Sequence, residues 1–99
     1  MAYKLIWSPV SLDDLRDIVR FIARDSPSRA ESFALRLIDQ AEALMEHPEI
    51  GRTVPERRDP EIREIIFKPY RIVYRVKHEQ RVIEIARVWH AARGTPKLD

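Results

Sequence analysis

IREIIFKPYRIVYRVKHEQRVIEIARVWHAAR, residues 62–93, holds three apolar runs separated by Lys68-Pro69 and by His78-Glu79-Gln80. Runs of this length, rich in Ile, Val and Tyr and bounded by turn residues, read as β-strands. In the middle run, Arg71 to Lys77, the alternation is clean: Ile72, Tyr74 and Val76 share one face, and Arg71, Val73, Arg75 and Lys77 share the other. The last run, Arg81 to Trp89, carries apolar residues on both faces, which fits a central strand and equally a β-bulge. Arg63, Lys68, Arg71, Arg75, Lys77, Arg81 and Arg87 cross these runs, and His90 and Arg93 follow. A sheet of this kind buries one face, so the other is expected to be solvated and positive.

Upstream, Tyr3 to Trp7 is a short strand that stops at Ser8-Pro9. A helix follows, capped by Ser8 before Pro9 or by the Ser11/Asp14 box, with Leu15, Ile18, Val19 and Ile22 on one stripe. After Asp25-Ser26-Pro27, Ser28 with Glu31 offers a capping box for a second helix. There Ala30, Phe33, Ala34, Leu37, Ile38, Ala41, Leu44 and Met45 keep the 3.6-residue period. So short a link predicts an antiparallel helical hairpin, and its apolar face needs a flat partner, which the downstream strands supply. The stretch from His47 to Pro60 has three prolines, a glycine and no periodicity, and reads as a long loop carrying Arg52, Glu56, Arg57 and Arg58. The expected architecture is a single α+β domain over residues 1–99. In it a β-α-α-β-β-β chain packs its hairpin on a mainly antiparallel four-stranded sheet.

Composition narrows the functional classes. The 99 residues are 44% hydrophobic and 34% charged, as in a folded globular domain. There is no cysteine, hence no disulfide framework, thiolate chemistry or Cys-based zinc site. The first residues lack the pattern of a signal peptide and no apolar run is long enough to span a bilayer, so a cytoplasmic protein with no membrane partner is expected. The net charge of +2 hides an asymmetry: residues 1–50 hold 6 Lys/Arg against 9 Asp/Glu, and residues 51–99 hold 12 against 7. Fourteen of the 18 cations are Arg, whose planar fork grips phosphate or carboxylate at two points. A positive sheet of this kind attracts polyanions or acidic proteins, and a histidine among guanidiniums has the equipment for proton transfer in phosphoryl chemistry. Trp7 and Trp89 read as core or rim packing, since stacking platforms show several exposed aromatics on neighbouring strands. Tyr70, in a turn, is likewise without an aromatic neighbour in sequence.

Taken together, KLIWSPVSLDDLRDIVRFI, LMEHPEIGR, REIIFKPYRIVYRV and VIEIARVWHAAR, in this order and spacing, resemble the RelE/ParE superfamily of toxins from type II toxin–antitoxin modules, over nearly the whole chain. The resemblance implies growth inhibition and plasmid stabilisation, a cognate acidic antitoxin as partner, and oligomers formed through that antitoxin. It implies no cofactor and no metal.

The superfamily has two branches. In RelE- and YoeB-like members, metal-independent endoribonucleases that cut mRNA on the ribosome, the resemblance assigns catalytic roles to Arg71, His90 and Glu56. The carboxylate would take the ribose 2′-hydroxyl proton, Arg71 would stabilise the phosphorane charge and His90 would protonate the leaving oxygen. Ala91, however, stands where YoeB-like members carry tyrosine. ParE-like members poison DNA gyrase without established catalytic residues, and the HPEIGR, REIIFKPYRIVYRV and VWHAAR pieces are closer to them. In that branch His90 packs rather than reacts, and Arg63, Lys68, Arg75, Arg87 and Arg93 are the expected contacts to a partner or polyanion. The reading that results is a ParE-like, non-enzymatic inhibitor of gyrase, with the ribosome-dependent nuclease as its alternative.

Overall fold

Two serines placed directly before prolines set the helical hairpin. In the computed structural model, which describes residues 2–98, strand β1 (Lys4–Trp7) ends at Ser8, whose side chain accepts the Ser11 amide at 3.0 Å and caps helix α1 (Pro9–Ala23). Helix α2 (Pro27–Glu42) is capped by Ser26, which accepts the Arg29 amide at 3.2 Å, not by Ser28 as the capping-box pattern suggested. The reason lies in Pro27. Its fixed φ and missing N–H suit the first helical position, so the cap falls on Ser26, two residues before Ser28.

A short 3-10 turn (Ala43–Met45) continues α2, and the Met45 carbonyl accepts the Tyr3 amide at 2.8 Å, tying the hairpin's end to the start of β1. The long loop follows. It contains a two-residue strand, β2 (Arg52–Thr53), beyond the four expected, and this pairs with β3 (Ile62–Phe67). Strands β4 (Tyr70–Lys77) and β5 (Val82–His90) complete a sheet of order β1-β5-β4-β3-β2, antiparallel except for the parallel β1–β5 pair. The fold is α+β.

The apolar stripes read from the sequence meet on one face of this sheet. Phe33, Leu37 and Ala41 of α2 and Leu44 of the 3-10 turn pack on Ile72, Tyr74 and Val76 of β4 and on Ile83, Ile85 and Val88 of β5. Leu15, Ile18 and Ile22 of α1, Leu5 and Trp7 of β1 and Tyr3 just before it close the rim. Burying each such aliphatic side chain contributes about 1.5–3 kcal/mol relative to leaving it in water. The two-faced pattern of β5 has both of the causes considered. The strand lies inside the sheet, and it carries a bulge: Tyr74 pairs with Ile85 and Val73 with Arg87, which leaves Ala86 as the extra residue. The inward positions therefore shift from Ile83 and Ile85 to Val88 and His90.

The opposite face departs from the expectation of a solvated positive surface. The loop after β2 and the segment after β5 lie over it and enclose a second small core of Val54, Ile62 and Val73, with Leu98 against it and Pro96 buried. Arg71, on this face, retains only 6% of its exposure. Val73 and Ile62 explain the cover, because two aliphatics on the cationic face require burial as much as those beneath the helices do.

Candidate functional site

Arg71 stands at the centre of the covered face, and its fork is loaded by the chain itself. Nε donates to Glu64 Oε1 at 2.5 Å, Nη1 to Glu56 Oε2 at 3.1 Å and to the Gly94 carbonyl at 3.0 Å, and Nη2 to Glu56 Oε1 at 3.0 Å. A guanidinium has five N–H donors, so four hydrogen bonds leave one. Glu64 lies one strand over, fully buried, and its second oxygen takes Arg52 Nε and Nη2, both at 2.7 Å. The loop folds inward here because Arg71, shielded from water, needs carboxylates, and the loop brings Glu56 to it.

These contacts fix protonation states. The hydrogen bonds from Arg71, with a backbone amide and the Thr95 hydroxyl (3.1 Å) assisting, hold the Glu56 carboxyl at a pKa of about 2. Burial opposes the charge on Arg71, but Glu56 and Glu64 outweigh it and raise its pKa above the ordinary value. The pair is therefore a permanently charged clamp. Glu56 at about 2 is a poor proton acceptor near neutrality, where a general base works best with a pKa close to the operating pH.

The third residue of the nuclease constellation lies on the other side of the sheet. Tyr70 pairs with His90 and Arg71 with Trp89, so on alternating strands Arg71 and Trp89 share the covered face while Tyr70 and His90 share the helical one. His90 meets Tyr70 edge to face at 5.4 Å, and Tyr70 meets Phe33 of α2 at 5.6 Å. His90 Nδ1 accepts the Ala92 amide at 3.1 Å, capping the 3-10 turn Ala91–Arg93. Thus the structure brings Arg71 and Glu56 together and leaves His90 apart from both.

Comparison with known proteins points to one family from two directions. The family model of the ParE toxin of type II toxin–antitoxin systems, parDE, matches residues 5–94. Toxin RelE2 of Caulobacter vibrioides is 36% identical over 91 residues, covering 91% of this chain and 97% of that toxin. The chain belongs to the ParE toxin family. Among solved structures it resembles the chromosomal ParDE system of P. aeruginosa (TM-score 0.73, 22% identity, 90% of this chain and 96% of that one). It also resembles a mutant E. coli RelE toxin in the free state (TM-score 0.70, 24% identity, 95% and 88%). These likenesses carry the fold of the RelE/ParE superfamily of type II toxins.

In this ParE-family chain the remaining expected contact residues divide into two groups. Arg63 is turned to the carbonyls of Gly51 (2.8 Å) and Glu49 (3.4 Å), Arg75 to Glu84 (3.2 Å), and Arg87 to Asp14 through Nε and Nη2 (2.8 and 3.0 Å). Lys68 and Arg93 are exposed, Arg93 stacking on Trp89 at 4.9 Å while Arg87 covers the same ring at 4.7 Å. The partners that sequence reading missed are carboxylates: Asp14, Glu64 and Glu84. A signal existed for the last two. Each sits within a strand, and Glu84 faces Arg75 directly in the register while Glu64 shares the face of Arg71. No helix among the described residues is long and apolar enough to cross a membrane.

Proposed function

We propose that this type II toxin acts by binding rather than by cutting RNA, as a ParE-like inhibitor of DNA gyrase in the cytoplasm, neutralised by a cognate acidic antitoxin. The observation that carries the reading is the occupation of Arg71 by the chain itself, which engages four of its five N–H donors. A nuclease needs that fork open toward a phosphate, and here two carboxylates and a carbonyl occupy it. Separation of His90 from Arg71 and Glu56 by the sheet adds to it, since a general acid must reach the same phosphodiester.

The antitoxin reading has support from the fold. Strand β1 pairs with β5 alone, leaving its other edge without a strand partner among the described residues, and Ile6 within it is 42% exposed. An open edge accepts an added strand from an extended, partly disordered segment. ParDE and RelBE complexes stand among the similar structures, and assembly into larger oligomers would run through the antitoxin.

The test separates the branches. Purified toxin is expected to inhibit supercoiling by gyrase and to trap cleaved DNA while leaving cell-free translation intact. Arrest of translation with undisturbed supercoiling would reject the proposal in favour of the ribosome-dependent nuclease.

A further inference from the structure

Arg71, Arg75 and Arg87 of the sheet are paired with carboxylates inside the chain, but the cations at the helical end are not. Arg29 and Arg36 on α2 and Arg93 after β5 line the clefts at one pole, and Arg20 and Arg24 near the end of α1 and Lys68 in the β3–β4 turn belong to the adjoining segments. None of the six lies within salt-bridge distance of a carboxylate among the described residues. Within residues 17–36, Asp17, Asp25 and Glu31 stand against Arg20, Arg24, Arg29 and Arg36, so positive charge is in slight excess there.

The pole is also apolar and indented. A ladder of rings runs through it: Phe67 to Phe33 at 5.4 Å, Phe33 to Tyr70 at 5.6 Å, Tyr70 to His90 at 5.4 Å, with the Arg36 guanidinium 5.8 Å over Phe67. Clefts open on both sides of the ladder. One of about 410 Å³ lies between α1 and the sheet end, walled by Phe21, Tyr70, His90 and Arg93; another, of about 140 Å³, is walled by Ile22, Phe33, Arg29 and Arg36. Phe21 is 64% exposed and Leu35, on the outward side of α2, is 57% exposed. Large apolar side chains left in water beside shallow clefts and unpaired cations are the features of a protein docking surface.

We propose that this pole is the surface by which the toxin grips its cellular target, and that the target meets it with an acidic, apolar-centred patch of a folded protein. The inference rests on the reading above that the toxin acts by binding. A phosphate backbone would gain nothing from Phe21, Leu35 or the apolar clefts. The ladder rings meet one another edge-on or tilted and Phe33 is nearly buried, so they offer no open face to a base. The cations stand on two packed helices at fixed spacing, which suits a partner whose own charges are already in place. A flexible antitoxin segment is offered main-chain partners elsewhere, along β1.

Phe21→Ala combined with Arg29→Glu tests the surface. Both side chains are exposed, and a glutamate near the start of α2 agrees with the helix dipole, so folding is expected to be retained and is checked by the thermal midpoint. The expression level needed for growth arrest should rise about tenfold or more, with unchanged affinity for the antitoxin encoded beside the toxin. Undiminished arrest would overturn the proposal, as would lost antitoxin binding with arrest retained, which hands the pole to the antitoxin. Tight binding of a short DNA duplex at physiological salt, abolished by the same changes, would reassign it to nucleic acid. If the wild-type toxin leaves purified gyrase unaffected while arrest still depends on the pole, the gyrase assignment falls and the docking surface stands.

Discussion

Glu56 holds Arg71 by two parallel hydrogen bonds, 3.1 and 3.0 Å, reaching it from a loop on the far side of β3. The carboxylate thereby occupies the two-point seat that a phosphate would need. Thr95 and the Gly94 carbonyl bind the same pair, so loop, strand and C-terminal segment converge on one guanidinium. Four tests follow from this arrangement and its neighbours.

The first is acid sensitivity. The Glu56 carboxyl has its folded pKa depressed to about 2 from 4.5, so its pairing contributes stability that is complete above about pH 4.5 and is lost as pH falls through about 2. Wild type should therefore exceed Glu56→Gln in stability near neutrality. The two denaturation midpoints should approach one another between about pH 4.5 and 2 and meet only near or below about 2, and a gap that does not narrow across that window would contradict the assignment.

Arg71→Ala should be a folding mutant before it is a functional one. It strips Glu64, a fully buried carboxylate, of its closest partner, and breaking a buried ion pair from one side costs roughly 3–5 kcal/mol. Urea unfolding should show the loss. The double change Arg71→Met with Glu64→Leu, which removes both charges, should recover part of it.

Gly51→Ala probes the join between loop and core. A Cβ there would come within 2.5 Å of the Glu64 carbonyl and 2.6 Å of the Tyr74 hydroxyl. Tyr74 is fully buried, accepts the Gly51 amide at 3.0 Å and donates to the Pro48 carbonyl at 2.9 Å. Since the backbone has to move, destabilisation of about 1–3 kcal/mol is expected, read as a lowered thermal midpoint.

His90→Asn addresses chemistry directly. Asparagine keeps an acceptor for the Ala92 amide and loses the ring that packs on Tyr70, so stability should fall by about 1 kcal/mol and growth arrest should persist. Were His90 the general acid of a nuclease, activity would drop by about 10²–10⁴-fold.

The elements legible in the sequence were those whose signal is local. The periodicity of Phe33, Leu37, Ala41 and Leu44 and the alternation of Ile72, Tyr74 and Val76 placed both halves of the main core, because each reports its own burial. The state of the cations was not local. Whether Arg71 faces water or Glu64 depends on what the loop and the last residues do, and Val73 beside it, an aliphatic on the supposed solvent face, was the residue that hinted at a cover. His90 illustrates the same limit. The resemblance to RelE- and YoeB-like members grouped it with Arg71, and only the register, with the extra residue at Ala86, assigns it to the helical side.

The parallel pairing of β1 with β5 has a consequence in time as well as space. Lys4 finds Val82, and Trp7 finds Ile85, only when nearly the entire chain is available. During synthesis the helical hairpin can form from its own sequence, whereas the first strand made must wait for the last one. Until then the KLIW segment is an unpaired apolar edge in the cell. Assembly of the toxin is thus gated by completion of its C-terminal third, and a chain truncated within β5 would leave its own beginning without a place in the sheet.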